Sequence, residues 1–97
     1  MIVGSLRLDL LLGEVSSLKQ KRAVVRPVVA ALRRFDVSAA ETAHHDLLRR
    51  AEIGVSLVGA DAAHVRQVLD RCEREIASRP EVDLLSAHAV LWDDEDE

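Results

Sequence analysis

The sequence predicts an α+β sandwich, a four-stranded antiparallel sheet with two helices on one face. Three observations predict it. Apolar residues alternate with a period of two from Ile2 to Leu10 and again in Ala51–Gly59, the pattern of strands that bury one face. Two stretches, Ser16–Arg34 and the segment after Asp61, repeat apolar residues at the roughly 100° spacing of an amphipathic helix. The 97 residues leave room for one core and no second.

In chain order, Ile2, Leu6, Leu8 and Leu10 point one way in the first strand while Ser5, Arg7 and Asp9 point the other, and Gly13-Glu14 breaks it. Ser17-Leu18-Lys19-Gln20 has the form of a capping box, with Ser17 accepting from the Gln20 amide and the Gln20 side chain reaching back. The helix that follows puts Leu18, Val25, Val29 and Leu32 on one stripe, with Val28 at its margin. Pro27 lies inside it, opposite the stripe, where the carbonyl it frees faces water and a bend can wrap the helix around the core. Asp36–His44 is a weakly apolar strand through Val37, Ala39, Glu41 and Ala43, suited to a sheet edge, and His45–Arg50 is a charged connection. Ile53, Val55 and Leu57 share one face of the next strand. Asp61 caps a second helix built on Val65, Val68, Leu69, Cys72 and Ile76, which Arg79-Pro80 stops. Val82–Trp92 is the last strand; both its faces are apolar, so periodicity leaves its register open.

The order β-α-β-β-α-β with right-handed crossovers gives a ferredoxin-like sandwich of strand order 4-1-3-2, with strands 1 and 3 central. Residues 1–92 form this single domain, and the acidic run 93–97 is expected to be a solvated, disordered tail.

Net charge is −4, but residues 1–50 carry nine Lys/Arg against five Asp/Glu, and residues 51–97 carry four against twelve. Such polarity marks either a partner for the basic half or attraction between the halves. The single cysteine, Cys72, excludes an internal disulfide, fits a reducing compartment, and sits on an apolar stripe as a buried small hydrophobe. The N-terminal run lacks a basic leader and is interrupted by Arg7 and Asp9, so it does not read as a signal peptide. No stretch reaches the ~20 apolar residues of a membrane span. A cytoplasmic protein with no membrane partner is expected.

Composition removes several chemistries that this architecture hosts. There is no asparagine for an acylphosphatase-like site, and no cysteine pair for heavy-metal binding. Phe35 and Trp92, the only aromatics, do not lie in mid-strand positions where an RNA-recognition motif stacks bases. His44, His45 and Asp46 with Glu41 do not converge as metal ligands, because adjacent residues of a strand face opposite sides. No catalytic Ser/His/Asp or Cys/His arrangement and no glycine-rich phosphate loop can be read. Neither catalytic residues, nor a metal, nor a cofactor is assigned.

The positive signal is basic. Lys19, Lys21, Arg22, Arg26 and Arg33 on the first helix, followed by Arg34, form a rail that Arg49 and Arg50 of the next loop extend. Such a rail can follow a phosphate backbone without aromatic stacking. The opposing reading neutralises it with Asp70, Glu73 and Glu75 of the second helix.

The helix-start motif S-L-K-x-K-R at Ser17–Arg22, with FDVSAAE and HHDLLRRAEIGV, resembles the YlxP-like family of small bacterial proteins from Ile2 to Trp92. The family's loop motif D-L-W-x-R-A is matched at Asp46, Leu47, Arg50 and Ala51 but carries Leu48 in place of Trp, which removes an aromatic for base stacking. The resemblance implies a ferredoxin-like fold and no established activity. Genes of that family often neighbour those for translation initiation and ribosome-binding factor A, which implies association with the ribosome. The expected function is therefore non-catalytic binding of ribosomal RNA or the ribosome, with no DNA partner. The alternative is a homo-oligomeric or protein-binding adaptor that uses a free sheet edge, as the weakly apolar second strand suggests, or the exposed sheet face.

Overall fold

A computed structural model describes residues 1–95. The elements are β1 (Ile2–Leu12), α1 (Leu18–Arg33), β2 (Ser38–Ala43), β3 (Arg50–Gly59), α2 (Ala62–Ala77) and β4 (Val82–Asp93). All strand pairs are antiparallel and the sheet order is β2-β3-β1-β4, the ferredoxin-like topology. α1 packs over β2 and β3, and α2 over β1 and β4.

The alternating residues of the central strands supply the floor of the core. Leu6, Leu8 and Leu10 of β1 and Ala51, Ile53 and Val55 of β3 are buried and face the helices. α2 adds Val65, Val68, Leu69, Cys72 and Ile76, as its periodicity predicts. Gly4 lets α2 approach β1, since a Cβ there would lie 2.5 Å from Cγ1 of Val65.

α1 is rotated from its predicted setting. Its buried residues are Lys21, Val25, Val28, Ala31 and Leu32, whereas Leu18 is 45% exposed and Val29 only half-buried. Val28 is thus at the centre of the inward face rather than its margin, because Lys21 is accommodated inside. The helix runs unbroken through exposed Pro27. Ser17 accepts from the Gln20 amide as expected, but Oε1 of Gln20 accepts from the backbone N–H of Ser16, not Ser17.

β4 changes phase against β1 between Asp9 and Leu10, leaving Leu85 as the extra residue. That bulge puts apolar residues on both sides of the strand. Asp93 belongs to β4, and Asp94 accepts a 2.8 Å ion pair from the N-terminal ammonium, which holds that ammonium's pKa above its usual value. Asp96 and Glu97 of the expected acidic tail lie outside the described residues.

Candidate nucleic-acid interface

Because β2 is only six residues long and lies at the sheet edge, α1 overhangs it, and a cleft of about 680 Å³ opens between them. Leu18, Val25 and Val29 give it an apolar wall, Arg22, Arg26 and Arg33 line it beside them, and Glu41 and His45 close one end. Sequence periodicity assigns Leu18 and Val29 wholly to the core. Nothing in the sequence distinguishes an apolar residue under the sheet from one overhanging its edge.

Of the eight basic residues of the predicted rail, Arg34 is the exposed C-cap of α1, and the other seven fall into three groups. Lys21 is 97% buried in effect, with 3% of its surface exposed. Its Nζ lies 2.9 Å from Oε2 of Glu41 and donates to the carbonyl oxygen of His44 at 2.6 Å. It pins the start of the loop that leaves β2, where His44 takes a left-handed φ of 64°. Nε of Arg49 donates to the carbonyls of Leu12 and Gly13, and the Leu12 amide donates back to the carbonyl of Arg49, tying the loop's other end to the exit of β1. Nη2 of Arg50 reaches both carboxylate oxygens of Asp9, at 2.8 and 2.7 Å. Lys21, Arg49 and Arg50 thus hold the loop in place, and the charges of Lys21 and Arg50 are met by carboxylates.

Lys19, Arg22 and Arg26 are different. All three are exposed, and among the described residues none has a carboxylate within ion-pair distance. The carboxylates of α2 do not neutralise them; Glu75 pairs instead with Arg79. Arg33 is intermediate. Its Nε and Nη2 donate to the carbonyl of Ala39 at 3.2 and 3.0 Å, which fixes the side chain but, among the described residues, brings no carboxylate to its charge.

The contact from Arg33 also changes the sheet edge. On this outermost strand the carbonyl of Ala39 accepts from Arg33, and the carbonyl of Glu41 lies 3.1 Å from Nε2 of His45. Two side chains therefore occupy the acceptors that an added strand would use. The role of His45 has no signal in the sequence, where it reads only as part of a polar loop.

Cys72 is fully buried, and burial pushes its thiol up to about 11, so it is a packing residue rather than a nucleophile. Among the described residues no three His, Cys, Asp or Glu side chains converge as a metal site, and no helix is long and apolar enough to cross a membrane.

The family model for a protein of unknown function, DUF503, matches residues 3–89. The chain belongs to the DUF503 family. No curated protein matches it. The span matched by the DUF503 model includes α1, the loop and the cleft, and so every residue of the candidate interface.

Proposed function

We propose that this DUF503 protein, YlxP-like in its motifs, is a cytoplasmic, non-catalytic RNA-binding protein that docks on ribosomal RNA through α1. The observation that carries the reading is the absence, among the described residues, of any carboxylate paired with Lys19, Arg22 or Arg26. Buried or neutralised cations make poor phosphate ligands, whereas exposed arginines offer charge-assisted hydrogen bonds at little cost. Arg22 and Arg26 stand about 6 Å apart along the helix axis, and Arg26 and Arg33 about 10 Å. That spacing suits successive contacts with one backbone. The loop 46–50 supports the interface by positioning β2, with Lys19, Arg22, Arg26 and Arg33 as the contacting set.

The test is co-sedimentation with ribosomal subunits at low and moderate salt. The wild-type protein is expected to associate at low salt and to be released steeply as salt rises. Arg22→Gln with Arg26→Gln should reduce the log–log salt slope by roughly one unit per lost phosphate contact. Absence of association at both salts overturns the proposal.

The adaptor alternative has one observation in its favour, the 12-residue edge strand β4, whose outer flank is unpaired among the described residues. A monomeric mass at micromolar concentration would remove its homo-oligomeric form.

A further inference from the structure

The cleft beside the rail differs from a surface built only to hold phosphates. A rail for duplex RNA needs cations at the crest of a ridge and nothing between them, since the duplex keeps its bases stacked inside. Here Arg22, Arg26 and Arg33 border a recess whose wall is made by Leu18, Val25 and Val29. Its volume of about 680 Å³ falls within the range of roughly 300–1,000 Å³ in which pockets enclose small organic groups. Cations along an apolar recess complement a chain that alternates anionic and flat apolar units.

We infer that the cleft between α1 and β2 receives an unpaired, single-stranded segment of RNA, with its phosphates on Lys19, Arg22 and Arg26 and at least one splayed base against Leu18, Val25 and Val29. This rests on the RNA-binding reading and deepens it by naming the strand state and the place of the base. An aliphatic wall contacts the face of any base, and guanidinium planes stack on bases without an aromatic partner. The lack of tyrosine and asparagine and the scarcity of phenylalanine and tryptophan are therefore no obstacle. Binding is expected to tolerate base identity, because the other polar side chains of the recess are already engaged, Lys21 with Glu41 and the carbonyl of His44, and His45 at the carbonyl of Glu41.

An acidic peptide is the competing occupant, and the edge of β2 decides against it. An extended peptide gains affinity and register by hydrogen bonding to a free strand. The acceptors it would use, the carbonyls of Ala39 and Glu41, are engaged by Arg33 and His45. A phosphodiester chain has no need of them. A free mononucleotide would reach only one or two of the cations, whereas the row continues to Lys19, beyond the cleft's lining.

The experiment is fluorescence anisotropy on the full chain at low salt, with a labelled 12-nucleotide oligouridine and a labelled RNA duplex of equal length. The single strand is expected to bind at least tenfold more tightly. Leu18→Ser with Val29→Ala, which leaves every charge in place, should weaken single-strand binding by about tenfold without changing its salt slope. Leu18→Ser alone, at the exposed start of α1, repeats the test should the pair lose its cooperative melt. Equal affinity for duplex and single strand, or indifference to the Leu18 variant, overturns the inference while leaving the rail as an RNA surface. Failure of either RNA to bind overturns the RNA-binding reading and the inference together. Displacement of the single strand by polyglutamate at equal charge concentration would show that the cleft takes acidic protein segments instead.

Discussion

Lys21 stands in a run of basic residues, Lys19, Lys21 and Arg22, yet its side chain is buried while those of its two companions are exposed. The difference follows from helix geometry: Lys21 is four residues before Val25 and seven before Val28, both on the inward face. Desolvating an ammonium is tolerable there because Glu41 and the carbonyl of His44 meet it. Removing only one member of such a pair leaves an uncompensated charge. Lys21→Met should therefore lower unfolding stability by about 3–5 kcal/mol, and Lys21→Met with Glu41→Leu should recover most of the loss. Urea denaturation of the two variants measures this; equal losses in both would mean that Lys21 acts through its packing or its backbone contacts rather than its charge partner.

At the scale of elements, the fold was largely legible because each element announces its inward face. The alternation of Leu6, Leu8 and Leu10 and the spacing of Val65, Leu69, Cys72 and Ile76 agree with the positions these residues occupy. The rotation of α1 was not legible, since it goes with the burial of Lys21 against Glu41, a residue 20 positions away on another element of the folded chain. The register of β4 was hidden by the bulge at Leu85. The basic residues of the site were legible as residue types but not as roles, because an arginine that clamps a loop and one that faces water look alike in sequence. Arg33 illustrates both: it borders the cleft and caps the edge of β2. Arg33→Gln should cost about 1 kcal/mol through loss of the paired donors on Ala39. It should also expose that carbonyl for intermolecular pairing. Sedimentation velocity is expected to show concentration-dependent association in Arg33→Gln but not in Arg26→Gln; a strictly monomeric Arg33 variant would mean that the edge has another guard.

For the molecule as a whole, the topology puts the exposed cations of α1 and the acidic end of β4 at different edges of the sheet. α1 and α2 lie side by side on one face of the sheet, but the exposed cations of α1 border the β2 edge, while Asp93 and Asp94 extend β4 at the opposite edge. A net charge of −4 is therefore no bar to binding a polyanion at one edge. The same arrangement predicts how binding and folding are linked. Arg22 and Arg26 are four residues apart on one helix face, a like-charge spacing that destabilises by a few tenths of a kcal/mol. Without ligand, Arg22→Gln with Arg26→Gln should thus melt at the same temperature as wild type or slightly above it at low salt. An anion that binds only the folded state adds stability by mass action, about 2.7 kcal/mol at a hundredfold excess over Kd. Saturating oligouridine should raise the wild-type melting temperature by several degrees and leave the double variant almost unmoved. Differential scanning calorimetry with and without the oligonucleotide measures both quantities. If the double variant melts well below wild type in the absence of ligand, these arginines hold the fold together and the exposed rail is a structural feature; if both proteins shift equally with ligand, the binding surface lies elsewhere on the molecule.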